Sequence, residues 1–184
     1  MHLTQGRPGD VTGRAARELR CYDFLDALGV AYDRVDHAPA MTMEICADID
    51  RVLDAMICKN LFLCNRQQTD FYLLMLPADK VFKTKDLSHQ LGVARLSFGS
   101  AEKMEELLDV HPGSVSVLAL LHDTAHRVRL VIDREVPGLP YFGCHPCENT
   151  SSLRLKTDDL MNKILPALGH EPTFVELSRY GGDV

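Results

Sequence analysis

The chain reads as an α+β domain built on a mixed central β-sheet flanked by helices. Three observations predict this. Apolar runs of strand length recur through the middle of the chain, helical repeats with caps stand before, between and after them, and the strands follow one another partly through hairpins and partly through helices, not in regular βαβ alternation. With 184 residues, 46% of them hydrophobic and 25% charged, the chain has the size and composition of one domain with its own core.

Residues 1–13 mix Gly, Pro, Arg and Thr without periodicity and are expected to be a flexible leader; residues 14–177 form the domain and 178–184 a tail. A first helix carries Leu19, Tyr22, Leu25 and Leu28 behind Ala15 and Ala16, and Gly29 ends it in the left-handed conformation. Val30 to Val35 reads as a strand. Pro39 biases Ala38 away from helix, and Thr42 is placed to cap a short helix that follows. Cys58–Cys64 and Phe71–Leu76 are apolar runs separated by the polar residues 65–70, a hairpin with a long loop.

Asp86–Leu91 gives a helix stopped by Gly92, Leu96–Phe98 a short strand, and Ser100 caps a helix that buries Met104, Leu107 and Leu108 before Pro112-Gly113. Val115–Leu121, Val128–Ile132 and Leu153–Leu155 are expected as strands, with a Pro- and Gly-rich loop over 137–146. A last helix starts at Thr157-Asp158-Asp159, buries Leu160, Ile164 and Leu168, and is kinked or shortened by Pro166 ahead of Gly169; Thr173–Leu177 is a final strand.

Totals exclude several functions. Twenty basic against 26 acidic residues give a net charge of −6, which argues against a broad nucleic-acid coat but leaves room for a local contact with RNA. No apolar run approaches the roughly 20 residues of a membrane span, and the first ten residues have no signal-peptide core, so a cytoplasmic protein without a membrane partner is expected. The six cysteines lack the dense spacing of a secreted disulfide framework and are expected as free thiols.

The chemistry-bearing candidates are few. Lys59 and Asn60 open an otherwise apolar strand; a lysine there either snorkels to solvent or meets an anion. His145 lies in a long polar loop between strands, the kind of place where sites are built on a rigid scaffold. His37, before a turn, is a lesser candidate. Gly113-Ser114-Val115-Ser116 could turn main-chain N–H groups toward a ligand oxygen, or could be a plain turn. Together, cation, amide, imidazole and cradle suit a phosphate-bearing substrate with a carbonyl group. Cys144-His145-Pro146-Cys147 is formally a C-x-x-C, yet no helix follows to lower a thiol pKa, and the other cysteines lack the second short knuckle of a zinc ribbon.

Taken in order, the blocks His37-Ala38-Pro39-Ala40-Met41-Thr42, Lys59-Asn60-Leu61-Phe62-Leu63, Leu96-Ser97-Phe98-Gly99-Ser100, Pro112-Gly113-Ser114-Val115-Ser116 and His145-Pro146-Cys147-Glu148-Asn149-Thr150 resemble the YbaK/prolyl-tRNA-synthetase-associated domain family. Its free-standing ProXp-ala or PrdX-type branch is the nearest. The resemblance runs from about residue 20 to 177. It implies that family's strongly curved sheet and its activity, hydrolysis of the ester joining a wrong amino acid to the 3′ adenosine of a tRNA, in this branch most typically alanine on tRNA(Pro), with no cofactor and no metal. It implies catalytic roles for Lys59, Gly113, Ser114 and His145, and substrate contacts from Thr42, Asn60, Val115, Ser116, Val117 and Asn149. The implied partner is the acceptor end of a charged tRNA, with prolyl-tRNA synthetase or an elongation factor as possible associates. Val117 stands where the family's Gly-x-x-x-Pro loop ends in proline, and Leu118 where many members carry phenylalanine. The alternatives are a non-catalytic sensor of aminoacyl or nucleotide ligands, and a thiol or zinc module at Cys144 and Cys147.

Overall fold

Two sheets, not one, organise the chain in the computed structural model, which describes residues 1–39 and 43–179. The first sheet is antiparallel and runs in the order β1 (Leu3–Gln5), β2 (Tyr32–Asp36), β8 (Ser151–Lys156), β7 (Tyr141–Cys144). The second runs in the order β5 (Ser97–Phe98), β3 (Lys59–Cys64), β4 (Phe71–Leu76), β6 (Val128–Asp133), β9 (Thr173–Val175), antiparallel as far as β4 and parallel beyond it. The expected single curved sheet is therefore replaced by two sheets that touch at one bridge. Ile57 pairs with Gly143 there, through Gly143 N–H to the Met56 carbonyl at 2.8 Å and Cys58 N–H to the Gly143 carbonyl at 3.1 Å.

That contact needs a residue without a side chain. A Cβ built on Gly143 would lie 2.8 Å from Ile57 Cγ1 and 3.0 Å from Ile57 Cα, closer than two carbons pack.

The helices form where their caps and apolar faces place them. Helix α1 (Ala16–Ala27) buries Cys21, Tyr22 and Leu25, and Gly29 follows at φ +64°. Helix α2 spans Met43–Leu53. Helix α3 (Thr84–Leu91) is closed by a left-handed Gly92, and α4 (Ala101–Leu108) is capped by Ser100, whose side chain accepts the Lys103 N–H at 3.2 Å. Met104, Leu107 and Leu108 face the core as their spacing requires.

Four expectations are corrected. The run 115–121 is not a strand: Val117–Leu121 is a 3-10 helix, its first turn capped by Ser116 Oγ, which accepts the Leu118 N–H at 3.2 Å. A short apolar run buried all round carries no period that tells helix from strand. Conversely, β7 lies inside the segment read as a Pro- and Gly-rich loop, because Gly143, the residue that breaks the strand pattern, is what the bridge between the sheets demands. Leu3–Gln5, within the expected leader, pairs antiparallel with residues 33–35 of β2. The last helix is neither kinked short nor regular. It runs as Thr157–Asp159, a π turn over Leu160–Ile164, and Leu165–Leu168; the Leu165 N–H reaches back five residues to Leu160, the wider turn in which the following Pro166 is accommodated.

Side chains on the two faces of the second sheet enter two cores. Phe62, Cys64, Phe71, Leu73, Met75, Leu130 and Ile132 meet α1, α4, the 3-10 helix and the first sheet. Leu63, Tyr72, Leu74, Leu76 and Val131 meet Leu87, Leu96, Val175 and Leu177. Strand pleat decides which face a β3 residue joins, and that matters for the site.

Candidate active site

The turn from β7 into β8 carries His145, and two serines at the start of β8 orient it. His145 Nδ1 lies 2.9 Å from the Ser151 carbonyl and 3.3 Å from Ser152 Oγ. A carbonyl only accepts, so the bonding pattern assigns the proton to Nδ1 and leaves Nε2 with its lone pair. Ser151 itself is fully buried, with Oγ 2.7 Å from Asp36 and 3.1 Å from the buried Glu18 of α1. His37 stands beside this pair, Nε2 at 2.9 Å from Ser152 Oγ, Nδ1 at 2.8 Å from the Ala38 carbonyl, its ring centroid 6.2 Å from that of His145.

Burial lowers the His145 pKa below its ordinary value of 6.5, the neighbouring His37 adds to the effect, and the Ser151 carbonyl pulls the other way. The imidazole is thus neutral at physiological pH. The unfolded chain takes up this proton at higher pH than the folded one, so His145's contribution to stability is complete above about pH 6.5 and declines as pH falls from there toward the lowered native value. An NMR titration should accordingly find His145 ionising below 6.5; an inflection at or above that value would contradict the geometry.

The glycine turn packs against the same loop. Gly113 has φ +89°, a backbone state that residues with a Cβ avoid, and an added Cβ would come within 3.4 Å of Asn149 Nδ2. Gly113, Asn149 and the His145 loop are therefore neighbours. The expected cradle is narrower than four amides, since the Ser114 N–H already bonds the His111 carbonyl at 3.0 Å. Ser114 is buried, Val115 half-buried, and Ser116 and Val117 have no exposed surface: the Ser116 hydroxyl caps the 3-10 helix and Val117 packs into the larger core. These two residues reach a ligand through the backbone or by shaping the wall behind it.

Lys59 and Asn60 diverge at the mouth of β3. Asn60 shares a face with Cys58 and Phe62, on the side of Cys144; its Nδ2 donates to the Cys58 carbonyl at 3.1 Å, while its Oδ1 is buried without a hydrogen-bond partner. A buried acceptor left unpaired costs about 1–3 kcal/mol, and such an atom suits a ligand N–H or O–H. Lys59 starts on the opposite face, opposite Leu76 of β4, and its Nζ donates to the Lys80 carbonyl at 2.9 Å. The structure thus groups His145, Gly113 and Asn149, sets Asn60 on their side of the sheet, and starts Lys59 from the other side at the strand end. Thr42 lies outside the described residues.

All six cysteines are free thiols. Cys144 and Cys147 are buried, as is Cys21, whose Sγ lies 3.5 Å from that of Cys147. Burial pushes the Cys144 thiol well up and that of Cys58 to about 12. Thiolates do not form readily under such conditions, so the C-x-x-C spacing does not make a nucleophile. Sequence reasoning missed Ser151, Ser152, Lys80 and Asp133, the groups that orient His145 and Lys59. Each is a common residue in a strand or loop, and only the pairings across the fold single it out.

An α+β domain with a neutral, pinned imidazole beside a glycine turn and a lysine at a strand mouth is a scaffold for ester hydrolysis on a phosphate-bearing substrate. The chain belongs to the aminoacyl-tRNA editing domain family, whose model matches residues 37–163. It is an aminoacyl-tRNA deacylase. Among curated proteins it is 31% identical over 153 residues to the prolyl-tRNA editing protein ProX of Acetoanaerobium sticklandii, covering 83% of this chain and 93% of that one. It is 29% identical over 155 residues to prolyl-tRNA synthetase associated domain-containing protein 1 of Danio rerio, covering 83% of each. Among solved structures, hypothetical protein APE2540 shares the fold with a TM-score of 0.65 at 17% identity, over 87% of this chain and 98% of that one. No helix among the described residues is long and apolar enough to cross a membrane.

Proposed function

We propose that this protein is a free-standing editing enzyme of the cytoplasm that removes alanine from mischarged tRNA(Pro). The observation that carries the reading is His145, held neutral with Nδ1 on the Ser151 carbonyl and packed with Asn149 against the Gly113 turn. An aminoacyl ester is already activated, so the site has to place water, receive the developing oxyanion and exclude the correct amino acid.

In this reading Lys59 anchors the terminal phosphate or ribose as a point charge. Amides of the Gly113-Ser114-Val115-Ser116 turn receive the carbonyl oxygen as it gains charge. The unpaired Asn60 Oδ1 accepts from the substrate's amino or hydroxyl group, and His145 Nε2 accepts from the vicinal ribose hydroxyl that helps activate water. The water oxygen bonds to the ester carbon, the bond to the ribose 3′ oxygen breaks, and that oxygen leaves with a proton. Thr42, Asn149 and the loop ending at Val117 bound the amino-acid pocket. Exclusion of the prolyl ring rests on clash, since a methylene missing from a pocket gives only about 1–3 kcal/mol. Prolyl-tRNA synthetase or an elongation factor delivers the tRNA.

The test is a panel of alanyl-, cysteinyl-, seryl- and prolyl-tRNA incubated with the protein in the presence of a chelator. Alanyl-tRNA(Pro) should lose its amino acid fastest and prolyl-tRNA should persist. Saturable binding without turnover would make the protein a sensor, and preference for another amino acid would overturn the alanine assignment.

A further inference from the structure

One buried ion pair has no part in the site as described, yet it holds the atom that orients Lys59. Lys80 is 1% exposed and Asp133 not at all. Lys80 Nζ lies 3.0 and 3.1 Å from the two Asp133 oxygens and 2.9 Å from Glu135 Oε1. Asp133 Oδ1 also accepts the Glu135 N–H at 3.0 Å, and Oδ2 the Leu177 N–H at 2.9 Å. The Lys80 carbonyl accepts from Lys59 Nζ at 2.9 Å. Its flanks are tied as well: the Lys80 N–H bonds the Pro77 carbonyl, the Val81 N–H bonds the Ser178 carbonyl at 2.8 Å, and Arg179 pairs with Lys80 along the backbone while its side chain bridges Asp79 and Glu135.

Burying two charges is costly, and an apolar pair of the same volume often serves stability as well or better. What an apolar pair would not do is lock a loop carbonyl in place by its side chain. Lysine has a long flexible stem and three rotatable donors. One N–H engaged by a fixed carbonyl settles where the other two point.

We infer that Lys80 and Asp133 are a positioning pair for Lys59: they clamp the 77–81 loop so that the Lys80 carbonyl aims the Lys59 ammonium at the substrate. The inference rests on the proposed role of Lys59. It also gives the β9 end of the chain, through Leu177 and Ser178, a part in holding the site.

The experiment measures kcat and KM for alanyl-tRNA(Pro) hydrolysis, together with thermal denaturation, for the full chain carrying Lys80→Met, Lys80→Arg, Asp133→Asn, Lys59→Ala and the pair Lys59→Ala with Lys80→Met. Misplacing a group by about 1 Å can cost ~100-fold, so Lys80→Met should lower kcat/KM by about 10- to 100-fold, and Lys80→Arg should recover most of it. In the Lys59→Ala background, adding Lys80→Met should change the rate by less than about twofold, because coupled residues do not add. If the two losses multiply, the pair is only structural and the inference falls. It falls equally if folded Lys80→Met keeps wild-type kcat/KM. Should Lys80→Met not fold, Asp133→Asn, which keeps the shape, decides by the same rule: wild-type activity overturns the inference. A fully active Lys59→Ala would instead remove Lys59 from the mechanism and take the proposed role with it, an outcome distinct from an inactive Lys59→Ala beside an active Lys80→Met.

Discussion

Lys59→Ala is expected to lower kcat/KM for deacylation by about a hundredfold or more, the usual scale for removing one preorganised electrostatic contact from an active site. The fold should survive. Lys59 is half-buried at the end of β3, and the variant loses only the bond from its ammonium to the Lys80 carbonyl. A single such bond is worth about 1–3 kcal/mol, which in a chain of this size lowers the melting temperature by no more than roughly 10 °C. Far-ultraviolet circular dichroism and a melt check the fold, and single-turnover hydrolysis of charged tRNA checks the activity. Wild-type turnover in the alanine variant would end the case for the lysine.

The largest loss of stability is expected from Gly143→Val. Gly143 lies where β7 crosses the residue before Cys58, and both of its backbone groups are bonded there, to Met56 and Cys58. The first side-chain carbon would already fall inside contact distance of Ile57, including its Cα, which cannot rotate away. Separating the two chains strains or breaks both bonds, so about 3 kcal/mol is expected from overpacking, equivalent to a melting temperature lower by roughly 6–12 °C. Activity should fall as well, since His145 is two residues further on and inherits its position from this crossing. A melt within about 2 °C of wild type would show that the bridge between the sheets yields without cost.

How far the sequence could be read depended on whether the signal was local. The caps at Ser100, Gly29 and Gly92, the 65–70 hairpin and the alternating core faces of β3 and β4 are set by backbone geometry within a few residues, and each formed as its local pattern predicted. The 3-10 helix at Val117–Leu121 did not, because an apolar run buried on all sides has no period. β7 was hidden for the opposite reason: its glycine serves a partner more than 80 residues earlier in the chain, and Gly within a run reads as a breaker.

The candidate site divides in the same way. His145, Asn149, Gly113, Lys59 and Asn60 stood out as polar or conformationally special residues in apolar or strand-linking surroundings, and Gly113 does adopt the positive φ that only glycine holds comfortably. Their mutual arrangement was not legible. Pleat sends Asn60 and Lys59 to opposite faces, one toward Cys58 and Cys144, the other to the Lys80 carbonyl.

From its residues alone, this chain determined the α+β class, most helix ends, the hairpin and the family to which it belongs, since those follow from capping, periodicity and ordered motifs along the backbone. The tertiary structure alone decided that there are two sheets meeting at Gly143, that Ser151 sets the His145 tautomer, and that a buried Lys80–Asp133 pair stands behind Lys59. Those depend on groups brought within about 3 Å from distant parts of the chain, and hydrogen bonds, steric contact and desolvation act at that range whatever the separation in sequence.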